Sequence, residues 1–217
     1  MTKVRTVLCF GDSNTYGAVP TLARTGRHRF APDRRWPGIL RKQLGPGWDI
    51  VEEGQPSRTT VREDPIEGAH KSGLRALPIC LESHMPLDLV IVMLGTNDLK
   101  HRFSAMAGDI ADSVEIVVRA IQHSEAGPGG APPLVILVAP PAMQEVDWLG
   151  EMFHGGAVKS ALLGRLLRDV AGRCEVPFVD AGEIVESSAI DGIHLDSDAH
   201  RRLGHELAKA VEAAFAG

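Results

Sequence analysis

The chain has 217 residues, enough for one sizeable core and few for two. At 44% hydrophobic and 24% charged residues it has the balance of an ordered globular protein, not a disordered one. Its 23 Lys and Arg against 28 Asp and Glu give a formal charge of −5, which excludes the basic excess of a general nucleic-acid binder.

Near the start, Val7, Leu8, Cys9 and Phe10 read as a buried strand ended by Gly11-Asp12-Ser13. These apolar residues are too few for the core of a signal peptide, and no small-residue cleavage site follows, so a cytoplasmic location is expected. Residues 19–35 are arginine-rich, contain His28 and run into Phe30 and Trp36; they read as an elaboration of the fold. A helix is predicted over 36–44, stopped by Gly45-Pro46-Gly47, and a short strand over 49–52 ending at Gly54. Leu74, Leu77 and Leu81 predict a helix over 72–84, against which Pro78 counts. Residues 89–94 are apolar on both faces, as a parallel strand covered by helices must be.

Ile110, Val114, Val117, Val118 and Ile121 then share one helical face, and the Gly- and Pro-rich stretch 125–133 is a loop. Residues 134–139 form the next buried strand, closed by Pro140-Pro141. The segment 141–156 carries Met143, Val146, Trp148, Leu149, Met152 and Phe153. It reads either as a lid packed over the core or as a contact between subunits, and the second reading leads to the expectation of a homo-oligomer. Val158, Leu162, Leu163, Leu166, Leu167 and Val170 predict an amphipathic helix, 178–180 a short strand, and Leu203, Leu207, Val211 and Phe215 the inner face of a last helix.

Five strands alternating with helices imply right-handed crossovers and a parallel sheet covered on both sides. With no repeat and no linker, the expectation is one domain over 1–217. No apolar run reaches the ~20 residues of a membrane span. Three widely spaced cysteines, Cys9, Cys80 and Cys174, lack zinc-ligand spacing and read as small buried hydrophobes, so no metal is expected.

In such folds the ligand lies beyond the carboxyl ends of the strands. Ser13 follows the first, Gly54 the second, Asn97 the third, and Asp191 with His194 follows the last. A serine hydroxyl is nucleophilic only when a base takes its proton. Asp191, three residues before His194 in a glycine-containing turn, can accept from Nδ1 and leave Nε2 free to be that base. Asn97, the N–H of Gly54 and the N–H of Ser13 can stabilise an oxyanion. Each residue alone has a plainer reading, as a turn, cap or loop residue.

Together, in this order, they resemble the SGNH hydrolase superfamily, also called the GDSL esterase/lipase family. The matching strings are GDSN at 11–14, the glycine of EEGQPSRTT at 53–61, GTND at 95–98 and DGIHL at 191–195. CFGDSNTYG, PLDLVIVMLGTND and the Pro-Pro after the fourth strand resemble its bacterial arylesterase/acyltransferase branch. The resemblance implies a flavodoxin-like three-layer α/β/α sandwich with a five-stranded parallel sheet. It implies a cofactor-independent serine esterase of the arylesterase or acetylesterase type that works through an acyl-enzyme and can also transfer the acyl group to alcohols. Ser13 would be the nucleophile, His194 the base and Asp191 its orienting acid, with Ser13, Gly54 and Asn97 at the oxyanion.

The expected lining of the substrate pocket is Asp12, Asn14, Tyr16, Lys100, Phe153 and Ile193, although Lys100 also reads as an ordinary solvated lysine. Asn14 stands where the family usually has Leu, and Tyr16 where this branch often has Trp. Gly-x-Ser-x-Gly, G-x-G-x-x-G and P-loop signatures are absent. The alternative reading is a flavodoxin-like small-ligand binding module without catalysis.

Overall fold

In the computed structural model, residues 4–26 and 28–216 are described. Residues 1–3, which begin the segment read for a signal peptide, Arg27 within the arginine-rich stretch and residue 217 lie outside them. Five strands, β1 (Arg5–Gly11), β2 (Trp48–Gly54), β3 (Leu89–Met93), β4 (Leu134–Ala139) and β5 (Phe178–Asp180), form one parallel sheet in the order β2-β1-β3-β4-β5.

The period of two along each strand decides which helix covers which face. Leu8, Phe10, Val90, Val92 and Leu137 point to one face, where α3 (Gly73–His84), α4 (Ala107–Gln122) and α6 (Gly156–Cys174) pack. Val7, Cys9, Leu89, Ile91, Ile136 and Val138 point to the other, against α2 (Trp36–Leu44) and α7 (Ser197–Ala214). This is the three-layer α/β/α arrangement expected from the alternation of strands and helices. All three cysteines are buried and unpaired. Among the described residues no helix is long and apolar enough to cross a membrane.

Element positions agree with the sequence reading to within a few residues, and α2 has the expected bounds. β1 and β2 are longer than predicted, by Arg5, Thr6 and Gly11 in the first and by Trp48, Glu53 and Gly54 in the second. Pro78 sits inside α3 on its exposed face, where water can serve the carbonyl that its missing N–H leaves free.

Along α6 the reading needs correction. The buried stripe is Leu163, Leu167, Val170 and Cys174, whereas Val158 and Leu162 are 75% and 44% exposed on a neighbouring stripe. The segment 141–156 is not all loop: it contains a short helix, α5 (Asp147–Met152).

Candidate active site

The nucleophile candidate is placed by a tight turn off the end of β1. Gly11 has no room for a side chain, since a Cβ would lie 2.0 Å from Thr15 Oγ1 and 2.9 Å from the Met93 carbonyl. Asp12 then caps the single-turn helix α1 (Ser13–Tyr16), accepting from the Asn14 N–H at 2.9 Å. Ser13 opens that helix and lines a cavity of about 120 Å³ beyond the strand ends.

His194 reaches the same cavity from the loop before α7. Its Nδ1 lies 2.7 Å from Asp191 Oδ2, and Asp191 is fully buried. The ionised carboxylate can only accept, so Nδ1 carries the proton and Nε2 is left free to accept one. Asp191 Oδ1 also accepts from the N–H groups of Ile193 (3.1 Å) and His194 (2.9 Å), and Oδ2 from the N–H of Thr21 (2.9 Å). Burial pushes the Asp191 carboxyl up, but the His194 ring and the N–H groups of His194 and Ile193 outweigh it and hold it below the usual carboxylate range. Gly192, at φ +74°, makes the turn, and a Cβ there would stand 2.2 Å from the Gln144 carbonyl. The Ser13 hydroxyl and the His194 ring face the same cavity without a direct hydrogen bond, a contact that commonly tightens only when substrate is bound.

Asn97 follows β3 on a short 3-10 turn (Thr96–Leu99) and lines the cavity. Its Nδ2 donates to Asp12 Oδ2 at 3.4 Å. Beside it, the buried Asp98 accepts from the Thr60 N–H (2.9 Å), the Thr60 hydroxyl (2.6 Å) and Arg62 (3.1 Å). These bonds tie the loop after β2 to the loop after β3. Burial raises the Asp12 carboxyl to about 6, against the pull of the Asn14 N–H, His194 and Arg58.

Four expectations about single residues are corrected. Gly54 is not brought to the cavity: a Cβ would meet Tyr16 N at 2.1 Å, so the glycine is needed where α1 lies directly on β2. Pro56 and Ser57 of that loop do reach the cavity, Ser57 at φ +68°. Arg58 N–H donates to Gln55 O at 3.1 Å, so Pro56 and Ser57 occupy the two central positions of a turn with positive φ at the second, as in type II. Pro56 was the one sequence signal for this turn; a serine at the left-handed position gives none.

Asn14 is buried and is not part of the pocket wall. It donates to Ile193 O (3.1 Å) and accepts from Leu195 N–H (2.9 Å), fastening the histidine loop to the serine turn across 180 residues of chain. Asp12 is likewise turned into the protein, occupied by its cap and by Asn97.

Tyr16, Phe153, Ile193 and Lys100 do line the cavity. Lys100 is not solvated: it is 1% exposed, with Nζ 2.7 Å from Glu67 Oε1 and 3.1 Å from Asp64 Oδ2. Burial pushes the Asp64 carboxyl up, but the N–H groups of Glu67 and Ile66 and the Lys100 ammonium bring it down to about 2.

The apolar side chains of 141–156 belong to this chain's own cavity. Trp148, Leu149, Met152 and Phe153 line it, and Phe153 is 2% exposed. Trp148 Nε1 donates to Leu22 O at 3.0 Å, and the Arg24 guanidinium lies 4.9 Å from the Trp148 ring centre, so the two elaborations meet over the site. This packing is that of a lid over the site.

Comparison with known families matches residues 9–202 to the GDSL-like lipase/acylhydrolase family. The chain is similar to the native aryl esterase of M. smegmatis, with 40% identity over 97% of this chain and 99% of that one and a TM-score of 0.92. It is similar to a carbohydrate acetylesterase from Sinorhizobium meliloti, with 41% identity over 97% and 100% and a TM-score of 0.92. A carbohydrate acetylesterase family member from the same organism has 34% identity over 99% and 100% and a TM-score of 0.91. The comparison with curated proteins gives no match.

Proposed function

We propose a mechanism from one premise: this chain belongs to the GDSL-like lipase/acylhydrolase family and is an ester-hydrolysing enzyme. Ser13 attacks the ester carbonyl while His194 Nε2 takes its proton. Asp191 holds the imidazole in the working tautomer and steadies the imidazolium that forms. The tetrahedral oxyanion rests on the N–H of Ser13 and the Asn97 amide, with the N–H of Ser57 in the place first assigned to Gly54. His194 returns the proton to the leaving alcohol, and water then opens the acyl-enzyme by the same route. The observation that carries this reading is the 2.7 Å Asp191–His194 pair facing the cavity that Ser13 lines.

The substrates proposed are esters of small acyl groups, acetyl first, in keeping with a narrow cavity walled by Trp148, Leu149, Met152 and Phe153. The same apolar cover, by limiting water, supports transfer of the acyl group to alcohols as a second outcome. Nothing in the comparisons favours a non-catalytic binding module. A cytoplasmic location and a homo-oligomeric state complete the proposal.

The test is Asn97→Ala. Loss of one preorganised donor lowers kcat for p-nitrophenyl acetate by about a hundred- to a thousandfold with little change in KM. Steady-state kinetics check this; an unchanged kcat with a raised KM would make Asn97 a binding residue instead.

A further inference from the structure

Ester hydrolysis needs a nucleophile, a base, oxyanion donors and a surface for the acyl group. It has no use for an ion pair, yet Lys100 and Glu67 form a part-buried one in the cavity wall, beside Asn97 and Ser57. The pair belongs to a neutral set of four charges: Lys100 Nζ donates to Glu67 Oε1 (2.7 Å) and Asp64 Oδ2 (3.1 Å), and Arg102 donates to Asp64 Oδ1 (2.9 Å).

Asp64 has a structural task. Fully buried, its carboxylate also takes the N–H groups of Ile66 and Glu67 and so fixes the loop that carries them. Glu67 differs. Its side chain is 20% exposed and lines the cavity, so its carboxylate can be reached from there. Hydrogen bonds from Lys100 and Ser57 hold it below the usual carboxylate range against its burial, so it is ionised at neutral pH and can only accept. Lys100 has three N–H bonds and gives two to Asp64 and Glu67.

An apolar group placed here would strip water from the exposed part of Glu67 and return nothing. A hydroxyl satisfies both charges, donating to Glu67 and accepting from Lys100. Trp148, Leu149, Met152 and Phe153, which also line the cavity, are apolar and suit the rest of the substrate.

We propose that Glu67 and Lys100 form a hydroxyl-recognition subsite, so that the enzyme prefers esters with a free hydroxyl close to the ester bond. This deepens the esterase reading and rests on it. The hydroxyl can come from a polyol alcohol or from a hydroxy acid, and three esters that differ by one hydroxyl separate these sources: ethyl acetate, 2-hydroxyethyl acetate and ethyl glycolate.

The experiment measures kcat/KM for all three with wild type, Glu67→Gln and Glu67→Leu, and for p-nitrophenyl acetate with wild type. Wild type is expected to favour one hydroxylated ester over ethyl acetate by about ten- to a hundredfold, because a site built to bond a hydroxyl discriminates against its absence. Glu67→Leu brings that ratio close to one. Glu67→Gln, which keeps an acceptor without the charge, lowers it several-fold and serves if the leucine variant does not fold. Ratios that are the same in wild type and both variants, for both hydroxylated esters, would overturn the subsite. Failure of wild type to hydrolyse p-nitrophenyl acetate would fault the esterase reading instead.

Discussion

Ser13→Ala is expected to give a folded protein whose ester hydrolysis is lower by about three to six orders of magnitude, the range seen when the nucleophile of a serine triad is removed. Ser13 opens α1 at the end of the nucleophile turn, but that turn is built by other groups. The Asp12 carboxylate caps the helix, Gly11 allows the close approach to Thr15 and Met93, and Asn14 fastens the turn to residues 193–195. Removal of one hydroxyl from a small side chain leaves all of these in place, so circular dichroism and the thermal midpoint should change little. Kinetics on p-nitrophenyl acetate with wild type and variant make the comparison. A variant that keeps a tenth of the wild-type kcat would remove Ser13 from the nucleophile's role.

The second large effect separates the base from its support. His194→Ala takes away the only group proposed to move a proton, and kcat is expected to fall by about five to six orders of magnitude. Asp191→Asn should cost less, about four orders. Asparagine fits the same space and keeps one acceptor oxygen. Its amide, however, presents N–H groups to a cluster that is already all donors: the His194 ring, the N–H groups of His194 and Ile193, and that of Thr21. If the amide nitrogen faces Nδ1, the ring must accept there and carry its proton on Nε2, where the base is needed. If the amide oxygen faces Nδ1, it also keeps the N–H of Thr21, and the N–H groups of Ile193 and His194 lose their acceptor. Either way the aspartate is a positioning group whose loss is partial. Equal and negligible effects of both substitutions would place the base elsewhere.

Much of this site was legible before any coordinates, for a physical reason. A parallel sheet puts its ligand at the carboxyl ends of its strands, so the residues after each apolar run were the ones to inspect. Ser13, Asn97 and the Asp191–His194 pair were found in this way, and the structure brings them to one cavity.

The misses share a cause. Gly54 was read as a free N–H, whereas its lack of a side chain answers to the backbone of α1 lying on it, which only the packed structure shows. Ser57 escaped notice because a non-glycine residue with positive φ leaves no mark in composition or periodicity. Lys100 read as solvated because its partners, Asp64 and Glu67, stand more than thirty positions away in sequence. On α6, Val158 and Leu162 fit the helical spacing as well as Leu163 and Leu167 do, and only the placement of the sheet decides which stripe is inside.

The claim on which all else depends is that Ser13 is the atom acylated. A fluorophosphonate, which reacts with activated serines and mimics the tetrahedral adduct, puts this to a direct test by intact mass and peptide mapping. One phosphonyl group per chain is expected, on the peptide that contains Ser13, with activity lost in step with labelling and no label on Ser13→Ala. A label on another residue, or full activity in a chain labelled at Ser13, would contradict the assignment.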